Sequence, residues 1–302
     1  MESGNGHIPK PKWLKAKIPS GGRFFKIKKD LESRNLHTIC QSAKCPNIGE
    51  CWNEGHATFL VMGNTCTRDC LFCSVKSGTP LPLDQSEPRR ILEMLEIMNL
   101  KYIVITSVTR DDLPDGGSGH FADIIRTIKR EKPDIKIEVL IPDFKGDTSC
   151  VQTVLDAGPD VLNHNLETVK RLYEKVNRKP ENYWRSLQVL KYSGENGFLT
   201  KSGIMVGLGE SLEELKELFS DLVKQGTKLL TIGQYCRPTS ANVEVVKYYS
   251  PEEFEELKHL AMSFGFNQVE SGPFVRSSYH ADSMYSHGVT GPKGRGTVKG
   301  DG

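Results

Sequence analysis

Two patterns of hydrophobic and polar positions alternate along the middle of the chain. Short runs rich in valine, isoleucine or leucine are separated by longer stretches whose apolar residues recur with helical spacing. The runs predict buried strands, and the longer stretches predict amphipathic helices. The predicted strands are 58–63, 102–107, 135–141, 160–165, 200–206 and 228–234. The predicted helices are 88–99, 120–132, 148–157, 182–195 and 211–225.

The order of these elements predicts an α/β fold. Alternating strands and helices favour a parallel sheet with helices packed on its outside. Ser211 is followed three residues later by Glu214, and this capping box fixes the start of the last predicted helix. The alternation alone does not choose between a doubly wound sheet and an open barrel. No internal repeat is visible in the sequence.

Composition and charge argue against several classes of partner. The 302 residues suffice for a large core, and the net charge of +2 is too small to favour nucleic acid or a membrane surface. No apolar run reaches the length of a membrane span. Residues 1–19 contain no arginine and show no amphipathic period, so they do not resemble a transit peptide. We therefore expect neither a nucleic-acid nor a membrane partner.

Six of the eight cysteines fall into two groups of three, which we call the first and second triads. Four and then five residues separate the cysteines of the first triad, and three and then two separate those of the second. Three thiolates this close on a loop can hold one face of an iron–sulfur cube and leave the fourth iron open. The triads are Cys40, Cys45 and Cys51, and Cys66, Cys70 and Cys73.

Other uses of cysteine fit these spacings less well. Zinc sites favour paired ligands two to four residues apart, although Cys51 and His56 could complete a site on paper. Disulfide frameworks are typical of small secreted domains. The isolated Cys150 and Cys236 are most simply buried small hydrophobic residues. Free thiols indicate a reducing compartment, and we expect a cytoplasmic protein.

The second triad carries a resemblance to a known family. Segment 65–73, TCTRDCLFC, has an aromatic residue just before its last cysteine and resembles the signature of the radical S-adenosylmethionine enzymes. The resemblance implies a [4Fe–4S] cluster whose open iron is chelated by S-adenosylmethionine, which is cleaved to a 5′-deoxyadenosyl radical. It also implies a partial (β/α)6 barrel of the TIM type rather than a doubly wound sheet.

The first triad narrows the resemblance from these enzymes as a whole to one family among them. Segment 41–52, QSAKCPNIGECW, and the RSSY motif at 276–279 resemble the lipoyl synthase family, and the likeness runs from about residue 22 to 285. It implies that Ser278 completes a second, auxiliary [4Fe–4S] cluster. It further implies that two molecules of S-adenosylmethionine are used while the auxiliary cluster donates both sulfurs. These sulfurs enter at C6 and C8 of an octanoyl chain on a carrier lysine.

Two other functions stay open at this point. A two-cluster electron carrier is disfavoured because each triad lacks a fourth cysteine. A maturase or a methylthiotransferase would also carry an auxiliary cluster. Methylthiotransferases usually place the auxiliary cysteines in a separate amino-terminal domain, and the roughly forty residues before Cys40 are too few for one.

Chemistry in such barrels takes place at the carboxyl ends of the strands. The resemblance therefore assigns polar or flexible residues near those ends to the cofactor, although each stretch alone could be a solvated turn or a helix cap. His164 also lies at a strand end, and three roles are open for it: a base, a ligand or a structural histidine. The expected cofactor contacts are Phe72 and Gly207 near the adenine, Asn165 and Glu167 near the ribose, Thr106 near the methionine moiety, and Arg178 on the carboxylate.

The resemblance also implies partners and a division of the chain. The expected substrates are octanoylated lipoyl domains of 2-oxoacid dehydrogenase acyltransferase subunits or the glycine cleavage H protein. An electron donor such as ferredoxin or flavodoxin and an iron–sulfur cluster carrier are expected as well. We predict four segments: an amino-terminal extension over 1–56, the barrel over 57–236, a carboxy-terminal extension over 237–285 and a disordered tail over 286–302.

Overall fold

Strands and helices alternate along the residues that the computed structural model describes, which are 8–15, 19–54 and 56–290. No helix within these ranges is long and apolar enough to cross a bilayer. The strands are β1 (His37–Thr38), β2 (Thr58–Val61), β3 (Thr65–Cys66), β4 (Lys76–Ser77), β5 (Tyr102–Ser107), β6 (Lys136–Leu140), β7 (Val161–Asn163), β8 (Leu199–Val206), β9 (Leu229–Gln234) and β10 (Gln268–Gly272). The helices are α1 (Gly22–Ser33), α2 (Ile39–Ser42), α3 (Ile48–Glu54), α4 (Glu87–Met98), α5 (Ser118–Glu131), α6 (Thr148–Leu155), α7 (Glu181–Glu195), α8 (Leu212–Lys224), α9 (Pro251–Ser263) and α10 (Ala281–Thr290), with 3-10 turns at Lys12–Leu14, Phe144–Gly146, Lys170–Leu172 and Glu174–Val176.

One sheet organises the molecule. Its strands follow the order β1-β2-β5-β6-β7-β8-β9-β10, and every neighbouring pair is parallel except β1 with β2. The six predicted strands correspond to β2 and β5 to β9, and helices connect most of them. The predicted parallel α/β fold is confirmed, and within the described residues β1 and β10 form the edges of an open, partial barrel.

The register of the sheet brings the carboxyl ends of the strands together. Leu60 lies beside Thr106, and Thr106 lies beside Leu140 of the next strand. Leu140 in turn lies beside Asn163. Because these strands are parallel, the loops that leave them emerge along one edge of the sheet.

Some element boundaries differ from the prediction. Strand β2 ends at Val61, because Met62 has a φ of 65° and Gly63 a φ of 90°, both outside the extended region. Strand β10 was not predicted from the sequence. It is an edge strand in which only Val269 is fully buried, so it lacks an apolar run. The capping box of Ser211 at the start of α8 is confirmed.

Both flanking segments contribute to the barrel sheet. Strand β1 belongs to the predicted amino-terminal extension and β10 to the predicted carboxy-terminal one. The division of the chain into four segments stays a prediction. The expected disorder from residue 286 is wrong for 286–290, because α10 continues to Thr290. The remainder of that tail, 291–302, lies outside the described residues.

A buried ion pair lies on the inner face of the sheet. Ile137 and Val139 of β6 pack in the apolar core, whereas Glu138 between them faces the opposite side, as the alternation of a strand requires. The Lys201 ammonium lies 3.0 Å from the Glu138 carboxylate, and both side chains are 0% exposed. Tyr102 donates its hydroxyl hydrogen to Glu138 over 2.8 Å. These bonds satisfy a carboxylate that would otherwise be costly to bury.

We expect Lys201→Met to lower the free energy of unfolding by about 3 kcal/mol or more, since it leaves the Glu138 charge buried without its partner. Urea unfolding of the cluster-loaded protein measures the change. The control is Lys28→Met, which removes an exposed ion pair with Glu32 at 3.8 Å. The control should change stability by less than about 0.5 kcal/mol. Equal effects of the two substitutions would contradict a stabilising role for the buried pair.

Candidate active site

The second triad begins with Cys66 at the end of β3, and Cys70 and Cys73 lie on the loop between β3 and β4. Backbone N–H groups of Arg68 and Thr109 donate to the sulfur of Cys66 over 3.4 and 3.3 Å, and the N–H of Val75 donates to the sulfur of Cys73 over 3.4 Å. Donors of this kind stabilise charge on a ligating sulfur. Burial nevertheless raises the pKa of Cys73 to about 11 against the bond from Val75, so its thiolate needs a bound cation as well as this donor.

Ion pairs fix this loop to the carboxyl ends of two strands. The Arg68 guanidinium binds both oxygens of Asp111, after β5, over 2.7 and 3.0 Å. It also donates to Asp143, after β6, over 2.7 Å. Burial alone would raise the pKa of Asp143, but the hydrogen bond and charge of Arg68 outweigh it and lower that pKa to about 2. The loop is thus held to the strand ends by a charged, bidentate contact.

The first triad lies on and between the short helices α2 and α3. Burial raises the pKa of Cys40 to about 11. Burial, together with the neighbouring Cys40, Cys45 and two acidic side chains, raises the pKa of Cys51 to about 12. Such thiols stay protonated unless a cation compensates their charge, as a metal cluster does. This donor set fits an iron–sulfur cluster, while no three His, Cys, Asp or Glu side chains of the described part of the chain are placed to hold a single metal ion.

A cavity of about 610 Å³ opens at the carboxyl edge of the sheet and brings both triads to one space. Cys40 and Cys45 of the first triad and Cys73 of the second line it. Much of the remaining wall is apolar, with Leu140, Ile204 and other side chains from the sheet. Thiols of both triads thus border a single, largely apolar cavity.

A smaller cavity adjoins the first triad. Its volume is about 40 Å³, and Cys40, Cys45, Cys51 and Ser278 all line it. Ser278 belongs to residues 274–279, which follow β10 and which we call the strap. The amide of Asn47, between the first-triad cysteines, donates to the carbonyl of Phe274 in the strap over 2.7 Å. The strap is therefore fastened beside the first triad, where the resemblance implies the fourth ligand.

Four of the six predicted cofactor contacts line the large cavity: Phe72, Thr106, Asn165 and Glu167. The hydroxyl of Thr106 donates to the Leu140 carbonyl over 3.0 Å. Burial raises the pKa of Glu167, and it is partly opposed by the charge of Arg178 and a hydrogen bond from Asn165. The four residues thus lie at one cavity, and their contact with the cofactor stays a prediction.

The other two predicted contacts do not line that cavity. Arg178 stacks over the ring of Tyr173 at 5.3 Å. Burial raises the pKa of Cys70, and the charge of Arg178 opposes this rise only in part. The Nε atom of Arg178 is buried without a hydrogen-bond partner. Gly207 has a φ of 103°, and a Cβ there would collide with the side chain of Gln234. The positive φ and the crowding by Gln234 therefore explain why position 207 is a glycine. Arg178 keeps an unpartnered N–H donor beside the second triad.

His164 is held as a structural histidine. Its Nδ1 lies 2.8 Å from the Ile141 carbonyl, so Nδ1 carries the hydrogen and Nε2 accepts from the Ser186 hydroxyl over 2.9 Å. Burial lowers the pKa of His164 to about 4, although the bond to Ile141 opposes the shift. Both ring nitrogens are used, which leaves none for a ligand or a base.

Ser277 and Gly203 are among the cavity residues that are not predicted from the sequence. Ser277 exchanges hydrogen bonds with Asn165, and Gly203 of β8 lies directly beneath them. Ser277 belongs to the RSSY motif, but spacing does not show which of its serines faces the barrel. A glycine inside a strand marks a close approach of another group, so Gly203 carried a usable signal.

Comparison with known proteins places these features in a family. Residues 60–222 match the model of the radical SAM superfamily, and residues 2–45 match that of the N-terminal domain of lipoyl synthase. The chain is 52% identical to a lipoyl synthase of Rubrobacter xylanophilus, over 91% of this chain and 86% of the relative. It is 49% identical to a lipoyl synthase of Phocaeicola vulgatus, over 91% and 97%.

Solved structures share the fold at low sequence identity. The chain superposes on Streptococcus suis SuiB bound to S-adenosylmethionine with a TM-score of 0.56 at 14% identity, covering 75% of this chain and 54% of that one. It superposes on HydG, a maturase of the [FeFe]-hydrogenase, with a TM-score of 0.55 at 16% identity, covering 87% and 78%. The predicted partial barrel is thereby confirmed.

The histidine contacts predict a pH dependence of stability. The folded pKa of His164, about 4, lies below its ordinary value of 6.5, so the folded state binds fewer protons than the unfolded state. The contribution of neutral His164 to the free energy of unfolding is complete above pH 6.5 and declines as the pH falls towards 4. Between pH 7.5 and 5.5 we expect His164 to account for a loss of about 1 kcal/mol in the free energy of unfolding.

Urea unfolding of the cluster-loaded protein at several pH values measures this loss. His164→Gln should be less stable at pH 7.5 but should depend less steeply on pH. The exposed His259, whose Nε2 lies 3.2 Å from Glu255, provides the control. His259→Gln should keep the wild-type slope, and parallel curves for wild type and His164→Gln would contradict the assignment.

Proposed function

The chain belongs to the lipoyl synthase family of radical S-adenosylmethionine enzymes, and on that premise we propose which of its residues serve the insertion of two sulfur atoms. The substrate is a protein-bound octanoyl-lysine, and the sulfurs enter at C6 and C8. The observation that carries the proposal is the single cavity of about 610 Å³ lined by cysteines of both triads. A substrate chain in this cavity would lie between the two sites.

The second triad would hold the radical cluster. Cys66, Cys70 and Cys73 supply three ligands, and the N–H groups directed at Cys66 and Cys73 stabilise their thiolates. The Arg68 contacts keep the loop in place at the edge of the sheet. Three protein ligands leave the fourth position of a cube for S-adenosylmethionine.

S-Adenosylmethionine would lie across the carboxyl ends of the strands. The buried, unpartnered Nε of Arg178 is suited to a carboxylate, which a guanidinium binds in bidentate fashion. Asn165 and Glu167 offer polar groups for ribose hydroxyls, and Thr106 and Phe72 border the same space. Gly207 is proposed to act through backbone shape, since its position is crowded by Gln234.

The first triad would hold the auxiliary cluster with Ser278 as its fourth ligand. All four residues line the small cavity between α2, α3 and the strap. Protonation of the serine oxygen would weaken its bond to iron, which suits a cluster that gives up sulfur. When bound, the radical cluster with S-adenosylmethionine supplies the hydrogen-abstracting radical, and the auxiliary cluster supplies the sulfur.

The cavity wall suits an aliphatic chain that must be kept from water. Apolar side chains exclude water, which would otherwise compete for reactive species. They also hold the octanoyl chain by burial of its surface, with no polar contact needed. The apolar lining includes Leu14, Ile39, Leu140, Ile204, Met205 and Val275.

A lipoyl-domain protein is the substrate carrier. We propose that it is an octanoylated lipoyl domain of a 2-oxoacid dehydrogenase acyltransferase subunit or the glycine cleavage H protein. Ferredoxin or flavodoxin would donate electrons, and an iron–sulfur carrier would rebuild the auxiliary cluster. All eight cysteines are free thiols, consistent with a reducing compartment, and we propose the cytoplasm.

Replacement of each triad by alanine separates their roles. The Cys66/Cys70/Cys73 variant should lose 5′-deoxyadenosine production, because the radical site has no cluster. The Cys40/Cys45/Cys51 variant should retain some cleavage but form no lipoyl product. Chromatography of 5′-deoxyadenosine and mass spectrometry of an octanoylated carrier measure the two outcomes.

Cys150→Ala provides the control, because this cysteine lies in the apolar core away from both cavities. It should behave as wild type in both assays. Wild-type cleavage by the second-triad variant would overturn the assignment of the triads. Lipoyl product from the first-triad variant would overturn the proposed source of sulfur.

A further inference from the structure

The two serines of the RSSY motif occupy the centre of one tight turn. The N–H of Tyr279 donates to the carbonyl of Arg276 over 2.9 Å, which closes a four-residue turn around Ser277 and Ser278. Ser278 lines the small cavity beside the first triad, whereas Ser277 lines only the large one. The turn thus presents its two hydroxyl-bearing residues to different surroundings.

Ser277 is bound to the barrel by a reciprocal contact. The Asn165 amide donates to the Ser277 oxygen over 2.8 Å, and the Ser277 hydroxyl lies 3.1 Å from the Asn165 carbonyl oxygen. The two residues are 112 positions apart in the chain. Asn165 follows β7 at the carboxyl edge of the sheet, so this contact joins the strap to the rim of the barrel.

The sheet is shaped to accommodate this contact. A Cβ on Gly203 would lie 2.7 Å from the Asn165 side-chain oxygen, 2.7 Å from the Thr231 hydroxyl and 2.9 Å from the Ser277 hydroxyl. Real Cβ atoms do not approach other atoms so closely, and any larger residue would displace the pair. The absence of a side chain at this one position keeps room for the strap.

We propose that the Asn165–Ser277 contact is a latch that positions Ser278 over the first triad. Ser277 is then a positioning residue and not an iron ligand, and the inference rests on the proposed role of Ser278. The Asn47–Phe274 bond fastens the start of the strap, and the latch fastens its turn. With both bonds in place, Ser278 is held where it lines the small cavity.

The latch is tested by the release of iron from the anaerobically loaded enzyme to a ferrous chelator, without S-adenosylmethionine. Ser277→Ala should speed release of the auxiliary irons about fivefold, the factor that corresponds to one net hydrogen bond. Asn165→Ala should do the same, and the double variant should be no faster than either single one. The irons held by the second triad should be released at the wild-type rate in each variant, which shows that the variants are folded.

Two further variants separate positioning from ligation. Gly203→Ala should also speed auxiliary iron release, although it leaves both latch side chains present. In Mössbauer spectra, Ser277→Ala should keep the signal of an oxygen-bound iron, and Ser278→Ala should lose it. Ser263→Ala, an exposed serine at the end of α9, should match wild type in both measurements.

Each outcome bears on one claim. Wild-type iron release by Ser277→Ala, or multiplied effects in the double variant, would overturn the latch alone. Loss of the oxygen-bound iron signal in Ser277→Ala would make Ser277 the ligand and overturn its positioning role. An unchanged spectrum for Ser278→Ala would overturn the proposed fourth ligand, and with it the purpose assigned to the latch.

Discussion

The thiols of the first triad lie where their ionisation is unfavourable. Burial and mutual repulsion raise the pKa of Cys40 to about 11 and that of Cys51 to about 12. The thiols therefore stay protonated until a cluster binds, and cluster binding releases their protons. The same segment follows β1 and is bonded to the strap through Asn47 and Phe274, so the first triad and the strap meet at one place.

The parallel sheet places both triads around one cavity. Parallel strands deliver their following loops to one edge, where Arg68 fixes the second triad against Asp111 and Asp143. The first triad and the strap approach the same edge from the two ends of the chain. The cavity between them is largely apolar, which suits an aliphatic substrate and the exclusion of water.

Much of the fold could be predicted from local pattern, because buried strands and capped helices have strong signals. The six core strands and the capping box of Ser211 are examples. Strand β10 gave no such signal, since it buries one residue fully at the edge of the sheet. The contact between Asn165 and Ser277 joins residues 112 positions apart, and no local rule predicts it.

The central claim is that each triad holds its own four-iron cluster. Anaerobic reconstitution followed by iron and sulfide analysis tests it directly. We expect about eight irons and about eight sulfides per wild-type chain, and about four of each after replacement of either triad by alanine. About four of each in the wild type, with no change on replacing the first triad, would contradict it.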